Sequence, residues 1–317
     1  MPFAINAGNV RDAAARITSC VRRTPVLTSS TFDAMTGVST FFKAENFQRG
    51  GAFKIRGASN FLAQIPAGEL AAGVVAFSSG NHAQAVAIAA RDRGVSATIV
   101  MPDDAPRAKV EATRGYGARI VIYDRLKDDR EEIGRRISAE TGATLVPPYD
   151  HPWTIAGQGT TALELLEQAP DLDAIITPVG GGGLLAGCAI AAKYFNPGIR
   201  VFGAEPEDGN DTHLSMRAGD RVTIPAPATV ADGLRAVRPG ALTFPIVQAL
   251  AEDILLVSED EIRAAMRFLL TRMKLVVEPS GAVPAAAVMS GKLPAGIQRI
   301  GVVLSGGNVD LDVLRTL

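Results

Sequence analysis

Cysteine, aromatic residues and unbalanced charge are all scarce in this sequence. Its 317 residues include only two cysteines, Cys20 and Cys188, whose separation matches no metal-ligand pattern. We therefore predict reduced core thiols of an intracellular protein, not a disulfide framework or a zinc site. Aromatic residues make up 5% of the chain, which favours tightly packed α/β layers over a β-sandwich. Lysine and arginine number 32 against 33 aspartates and glutamates, so we expect no nucleic-acid or membrane-surface partner.

Signals of a membrane or secretory protein are also lacking. Residues 1–16 contain no basic stretch followed by an apolar one, so no signal peptide is visible and we predict a cytoplasmic protein. One uncharged run, 174–192, reaches the length of a membrane span. Because Pro178 and four consecutive glycines interrupt this run, a strand, a turn and a helix are the better interpretation.

Short apolar segments alternate with helical patterns along most of the chain. The segments with the composition of buried strands are 74–78, 96–102, 118–124, 173–179, 200–206, 253–258 and 299–305. This alternation favours parallel sheets with helices on both faces. We predict an α/β fold with two open, twisted parallel-sheet domains. Residues 1–72 and 150–317 would form the large domain, and residues 73–149 a small mobile domain.

Lys54 lies in a glycine-rich stretch, GGAFKIRG, between Phe53 and Ile55. An ammonium group in such an apolar setting loses solvation, and its pKa falls toward a value useful for a nucleophile or a base. The ordinary alternative is a surface lysine in a loop. Lys54 therefore needs support from other parts of the chain.

Four consecutive glycines, Gly180, Gly181, Gly182 and Gly183, join a predicted strand to a predicted helix. Their backbone N–H groups and the positive end of the helix form an anion site suited to phosphate. Gly181 and Gly183, with Ala186, also fit the G-x-G-x-x-A spacing of a dinucleotide site, for which Glu205 would bind the ribose. This alternative predicts an NAD-dependent oxidoreductase, but it leaves the lysine stretch unexplained.

Two further strand-to-helix turns carry polar residues. The segment SSGNHAQA places Ser78, Ser79, Asn81 and His82 at the start of a helix, where hydroxyl, amide and free N–H groups can bind a carboxylate. Ordinary N-capping and a local hydrogen bond of His82 are the alternatives. Ser305 occupies a similar turn, LSGGN. Because the carboxyl ends of parallel strands meet at one edge, the three turns can face a single crevice.

An acidic loop follows the strand at 200–206. It contains Glu205, Glu207, Asp208 and Asp211 around Gly209. Hard cations bind several carboxylate and carbonyl oxygens in a short loop. A solvated acidic loop is the usual alternative explanation.

Together, five motifs resemble the serine/threonine dehydratases and serine racemases, which are fold-type II enzymes dependent on pyridoxal 5′-phosphate (PLP). The motifs are GAFKIRGA, SSGNHAQA, PVGGGGLLAG, EPEDGND and VLSGGN. They occur in the family's order and extend over nearly the whole chain. The resemblance implies the tryptophan synthase β-like fold and β-elimination on serine, threonine or 3-hydroxyaspartate to give a 2-oxo acid and ammonia.

The resemblance also implies roles for individual residues. Lys54 would form the Schiff base that holds PLP and would abstract the α-proton of the substrate. The cofactor-binding residues would be Phe53, Lys54, Asn81, Gly180, Gly181, Gly182, Gly183, Leu184 and Ser305. The substrate-binding residues would be Ser78, Ser79, Asn81, His82 and Arg130.

Three features would distinguish branches of the family. Ser79 corresponds to a serine that exchanges the second proton in racemases, which implies either racemase activity beside elimination or action on the other β-hydroxy stereoisomers. Glu205, Gly209 and Asp211 match the cation site of the racemase-like branch, which implies bound Mg²⁺, Mn²⁺ or Ca²⁺. Arg130 would pair with a β-carboxylate if it points into the cleft, although a solvated helix face is equally consistent with its acidic neighbours.

The resemblance further implies a homodimer with a small amino-acid substrate. Two alternatives from other classes remain open on the sequence. One is the NAD-dependent oxidoreductase, and the other is a non-catalytic amino-acid binder that retains the fold.

Overall fold

The computed structural model describes residues 2–105, 107–125 and 127–317. Its ten strands are β1 (Val26–Leu27), β2 (Ser39–Ala44), β3 (Val74–Phe77), β4 (Ala97–Pro102), β5 (Arg119–Tyr123), β6 (Thr144–Leu145), β7 (Ala174–Pro178), β8 (Arg200–Pro206), β9 (Asp253–Val257) and β10 (Arg299–Leu304). Its helices are α1 (Ala7–Ile17), α2 (Ser30–Thr36), α3 (Lys54–Leu62), α4 (Ala67–Leu70), α5 (Asn81–Asp92), α6 (Arg107–Gly115), α7 (Arg130–Thr141), α8 (Pro152–Gln168), α9 (Gly183–Phe195), α10 (Asp211–Ala218), α11 (Thr243–Leu250), α12 (Glu259–Thr271), α13 (Pro279–Met289) and α14 (Leu311–Arg315).

The strands form two sheets, which confirms the predicted fold class. The larger sheet has the order β1-β2-β10-β7-β8-β9, and the smaller sheet has the order β5-β4-β3-β6. All neighbouring strands are parallel except β1, which pairs antiparallel with β2. We call the part of the chain built on the larger sheet the six-stranded half, and the part built on the smaller sheet the four-stranded half. The predicted domain boundaries and the mobility of the small domain stay predictions.

Helices cover both faces of each sheet. Buried residues of α1, α8 and α9 pack on one face of the six-stranded sheet, and those of α2, α12 and α13 pack on the other face. In the four-stranded half, α3 and α5 cover one face and α7 lies on the other. The β-strands are therefore buried as in other doubly covered parallel sheets.

The sequence interpretation differs from the structure at three places. Lys54 is the first residue of α3 and does not lie in a loop, and Gly57 lies inside that helix. A Cβ atom on Gly57 would lie 2.3 Å from Nε2 of Gln158, so this glycine permits close contact between α3 and α8. The glycine and proline residues of the segment 207–245 predict irregular structure, but the segment contains α10. Cys188 is buried as predicted, whereas Cys20 is partly exposed.

A buried network of charges fixes the start of α3. The Arg56 guanidinium donates to both carboxylate oxygens of Glu45 at 2.8 Å and to both oxygens of Glu164 at 2.8 Å. Lys43 donates to the same Glu164 at 2.7 Å. The side chains of Arg56, Glu45 and Lys43 are fully buried. Since Arg56 is two residues from Lys54, this network ties the lysine's helix to β2 and α8.

None of the helices among the described residues is both long enough and apolar enough to cross a membrane.

Candidate active site

A cavity of about 1000 Å³ lies between the two sheets. It is lined by residues that directly follow β3, β7 and β10, at the carboxyl ends of the strands. Parallel α/β sheets bind their ligands at this edge. The predicted cofactor and substrate residues that line the cavity are Phe53, Lys54, Ser78, Ser79, Asn81, His82, Arg130, Gly180, Gly181, Gly182, Gly183, Leu184 and Ser305. The structure thus brings together every residue of these two predicted sets.

Lys54 presents its amine to the cavity from the first turn of α3. Its Nζ atom donates to the carbonyl oxygen of Pro148 at 2.8 Å and lies 5.2 Å from the ring centroid of Phe53. Burial lowers the pKa of the amine from its ordinary value to about 8, because desolvation disfavours the ammonium form. About a tenth of Lys54 would therefore be a neutral, nucleophilic amine at pH 7, compared with far below 1% at the ordinary pKa of lysine.

The four glycines form the turn from β7 into α9. The backbone N–H groups of Gly181, Gly182, Gly183 and Leu184 are buried and donate no hydrogen bond to any described residue. Gly182 has φ +88°, and a Cβ atom on Gly181 would lie 2.3 Å from the Tyr149 ring. Close packing against Tyr149 thus explains why the residue at position 181 is a glycine. The free N–H groups at the start of a thirteen-residue helix make an anion site that fits a phosphate.

The side chain of Asn81 is held from two sides. Its Nδ2 atom donates to Glu278 Oε1 at 2.5 Å, and its Oδ1 atom accepts from Asn308 Nδ2 at 2.9 Å. Asn308 also donates to the carbonyl of Gly50 at 2.7 Å, beside the lysine helix. An amide nitrogen has two hydrogens, so Asn81 retains one donor for a ligand in the cavity.

The two serines of the β3–α5 turn differ in their hydrogen bonding. Ser78 Oγ accepts from the backbone N–H of Gly80 at 3.2 Å, as a turn residue would. Ser79 is partly exposed and its hydroxyl forms no hydrogen bond with the described residues, so it is free to contact a ligand.

His82 does not have the properties of a general base. Its Nε2 atom lies 3.0 Å from the carbonyl oxygen of Val146. Burial, followed by the charge of Lys54, lowers the pKa of the imidazole to about 3. The ring is therefore neutral at physiological pH, in agreement with the local hydrogen-bonding interpretation.

Arg130 begins α7 and lines the cavity. Its guanidinium lies 5.5 Å from the centroid of the Phe77 ring, and it forms no hydrogen bond or ion pair with any described residue. Tyr149 also lines the cavity. Trp153 packs on Phe61 and His151 instead, with ring centroids 5.3 and 4.9 Å away.

The predicted cation residues lie outside the cavity, at the end of β8 and in the segment that follows it. Glu205 and Asp211 are fully buried, and Gly209 lies between them in a short 3-10 turn. Glu205 accepts from the backbone N–H groups of Thr212 and His213 at 3.2 and 2.9 Å. Both carboxylate oxygens of Asp211 are buried without a hydrogen-bond partner.

The electrostatics of this loop fit a cation. Burial, and then the neighbouring Asp211 carboxylate, raises the pKa of Glu205 well above its usual range. Burial raises the pKa of Asp211 to about 7. The described residues contain no group of three or more His, Cys, Asp and Glu side chains that could hold a metal, so backbone carbonyls would have to complete the shell. Because Glu205 is bonded to α10 and does not line the cavity, the dinucleotide interpretation of the glycine run is disfavoured.

Three charged residues of the cavity were not found from the sequence. Lys109 pairs with Asp232 at 2.5 Å and approaches Glu278 at 3.7 Å. The EPSG sequence around Glu278 has turn and helix-start character, but no local pattern relates it to Asn81, 197 positions away.

Comparisons with family models, individual proteins and solved structures all match this chain to one family. Residues 17–306 match a family model described as "Pyridoxal-phosphate dependent enzyme". The chain is similar to L-threo-3-hydroxyaspartate ammonia-lyase of Saccharomyces cerevisiae, with 51% identity over 98% of this chain and 95% of the relative. It is similar to serine racemase of Schizosaccharomyces pombe, with 49% identity over 96% of this chain and 94% of the relative. The solved structure of maize serine racemase superposes with a TM-score of 0.96 at 46% identity, covering 99% and 97% of the two chains.

Proposed function

The chain belongs to the family of pyridoxal-phosphate dependent enzymes, and from this premise we propose that it is an ammonia-lyase acting on β-hydroxy amino acids. The observation that carries the proposal is the position of Lys54. Its desolvated amine lies in one cavity with the free N–H groups of the glycine run and the amide of Asn81. Relatives with about half of their residues identical are named as ammonia-lyases and racemases, which supports this choice.

The residues present fit the cofactor. The N–H groups of Gly181–Leu184 would hold the phosphate, Asn81 the ring hydroxyl and Phe53 the ring face. Ser305 would face the ring nitrogen with a neutral hydroxyl, which does not enforce a protonated ring and so favours elimination over transamination. When bound, PLP supplies an aldehyde that captures amines and a conjugated ring that stabilises negative charge at the substrate α-carbon.

The protein residues would supply the proton transfers and the binding. Lys54 takes the proton from the α-carbon as the C–H bond breaks. Lys54 would return this proton to the β-hydroxyl, which leaves as water when its bond to the β-carbon breaks. Hydrolysis of the product by one water then yields a 2-oxo acid and ammonia. The Ser78 N–H donates to the Val100 carbonyl at 3.0 Å and is not available. The N–H groups of Ser79, Asn81 and His82 donate to no described residue and would bind the α-carboxylate. The unpartnered hydroxyl of Ser79 would serve as a second proton-transfer group and so permit racemisation.

Within this class, 3-hydroxyaspartate is the favoured substrate. Arg130 is the reason, because its guanidinium lines the cavity without a carboxylate partner among the described residues. A β-carboxylate would provide that partner with bidentate, charge-assisted hydrogen bonds. Two relatives at 51% and 50% identity are named for this substrate.

A panel of the L- and D-isomers of serine, threonine and 3-hydroxyaspartate tests the proposal. Each is assayed for 2-oxo acid and for inversion with the wild type and with Ser79→Ala. We expect 2-oxo acid from the wild type, with kcat/KM for 3-hydroxyaspartate about tenfold or more above that for serine, since hydrogen bonds to charged groups contribute about 1.5–3 kcal/mol. In Ser79→Ala we expect elimination to continue and inversion to fall to background.

The outcomes of the panel separate the claims. Absence of 2-oxo acid from every substrate would overturn the proposed function. Equal or better turnover of serine would overturn the preference for 3-hydroxyaspartate alone. Unchanged inversion in Ser79→Ala would remove that serine from proton transfer.

The acidic loop after β8 is proposed to bind Mg²⁺, Mn²⁺ or Ca²⁺. Support comes from Asp211, whose two buried oxygens have no partner, because unpaired buried carboxylates are costly. The ion would have a structural or activating role. Two finer points stay predictions from the sequence, namely a cytoplasmic location and a homodimer, and light scattering of the protein in solution tests the second.

Chelation followed by metal addition should change thermal stability. In protein treated with EDTA, each added cation that binds should raise the unfolding midpoint, because a ligand at one hundred times its Kd adds about 2.7 kcal/mol to the free energy of unfolding. Asp211→Asn should lose this response. Asp208→Asn is the matched control, since Asp208 is exposed in the same loop. A wild-type midpoint that none of the three cations changes would refute the site.

A further inference from the structure

Lys109 is a nearly buried lysine that the proposed reaction does not use. It belongs to α6 in the four-stranded half, and its side chain is 8% exposed. Its Nζ atom lies 2.5 Å from Asp232 Oδ2 and 3.7 Å from Glu278 Oε2. Asp232 lies in the turn between α10 and α11, and Glu278 directly precedes α13. Both carboxylates therefore belong to the six-stranded half, and Lys109 crosses the cavity to reach them.

Carboxylates outnumber the single ammonium group of this cluster. Burial opposes the ammonium form of Lys109, but the carboxylates of Glu278, Asp232 and Asp310 outweigh burial and raise its pKa. Lys109 is therefore a charged group that these carboxylates retain inside the protein. Lysines are almost never buried unless they are paired in this way.

The cluster is connected to the turn that carries Ser79 and Asn81. A Cβ atom on Gly80 would lie 3.3 Å from Cδ of Lys109, so the stem of the lysine packs directly on the turn. Glu278 is shared, since its Oε1 atom accepts from Asn81 at 2.5 Å while its Oε2 atom faces Lys109. The Oε2 atom has no hydrogen-bond partner among the described residues. The turn thus contacts the stem of Lys109 directly and is connected to its ammonium group through Glu278.

We propose that Lys109 is a positioning residue, which holds the Ser78–Asn81 turn against the six-stranded half through its contacts with Asp232 and Glu278. The inference rests on the proposed function, because the turn matters for turnover only if it binds substrate and cofactor. Lys109 does not itself react. Its loss would let the turn move away from Lys54, and misplacement of a catalytic group by about 1 Å can lower the rate about 100-fold.

The test uses the PLP-loaded enzyme and three variants. Lys109→Met removes the charge and keeps the stem, and Asp232→Asn removes the partner. Arg107→Met is the matched control on the same helix, because Arg107 is 91% exposed and its one ion pair among the described residues is with Glu111. Hydrogen–deuterium exchange measures how firmly the segment 77–85, which contains the turn, is held. The values of kcat and KM for the best substrate of the panel measure the effect on turnover.

We expect faster exchange of segment 77–85 in Lys109→Met and in Asp232→Asn, with Arg107→Met at the wild-type rate. In Lys109→Met and in Asp232→Asn, kcat/KM should fall between about 10-fold and 100-fold while the visible absorption of the bound cofactor persists. The double variant should lose no more than the worse single variant, because both changes break one contact. If Lys109→Met fails to fold, Asp232→Asn carries the test, since Asp232 is partly exposed.

The outcomes distinguish this inference from the proposed function. Wild-type exchange of segment 77–85 in both variants would overturn the positioning role, even in an active lyase. Additive losses in the double variant would overturn it as well. Faster exchange in an enzyme that converts no β-hydroxy amino acid would uphold the positioning role and overturn the proposed function instead.

Discussion

Replacing Lys54 with alanine is expected to lower the rate of 2-oxo acid formation by about 10⁴-fold, the upper range for loss of a general base. It should also abolish the visible absorption of the bound cofactor. The change removes the amine that attaches PLP and the group that takes the α-proton. Lys109 is the other lysine among the described residues that line the cavity, and it is not free to replace Lys54 because Asp232 holds its ammonium group.

The physical basis of this prediction is the environment of the amine. Burial lowers the pKa of Lys54 to about 8, so the neutral form is accessible near neutral pH. The Pro148 carbonyl and the Phe53 ring orient it toward the cavity. An amine with an ordinary pKa would be almost wholly protonated at pH 7 and a weak nucleophile.

Absorption spectra and initial rates measure the effect. Lys127→Ala is a suitable control because that lysine is 80% exposed and pairs with Asp124 outside the cavity lining. Far-ultraviolet circular dichroism of each variant checks the fold. Retention of the cofactor band and of turnover in Lys54→Ala would contradict the assignment of this lysine.

Replacing Arg56 with methionine is expected to lower the free energy of unfolding by about 3–5 kcal/mol, the usual result of removing one member of a buried ion pair. The guanidinium satisfies all four carboxylate oxygens of Glu45 and Glu164. After the substitution, the hydroxyl of Thr24, at 2.5 Å, is the hydrogen-bond partner that remains to Glu45 among the described residues. A buried carboxylate would then remain largely uncompensated, which is the source of the loss.

Urea unfolding at neutral pH measures this loss. Arg23→Met is the matched control, because Arg23 pairs with Glu167 of the same helix α8 but is 54% exposed. Exposed pairs contribute about 0–1 kcal/mol. Arg56→Lys should fall between Arg56→Met and the wild type, since it keeps the charge and loses the bidentate geometry. A loss below about 1 kcal/mol in Arg56→Met would show that the network is not needed for stability.

The sequence by itself determined the fold class and the residues that follow the strands. Glycine runs, N-terminal helix residues and apolar strands are local features, because they depend on the backbone conformation of a few adjacent residues. Parallel strands place their carboxyl ends at one edge, so three separate turns could be assigned to one crevice. That is why Ser79, Gly181 and Ser305 could be grouped without a structure.

Only the tertiary structure decided the charged partners. Arg130 had two equally consistent interpretations on the sequence, and the structure places it at the cavity without an acidic partner among the described residues. Lys109 and Asp232 are 123 positions apart, and Arg56 and Glu164 are 108 apart. Since an ion pair depends on distance in space and burial, no pattern along the chain could reveal either pair.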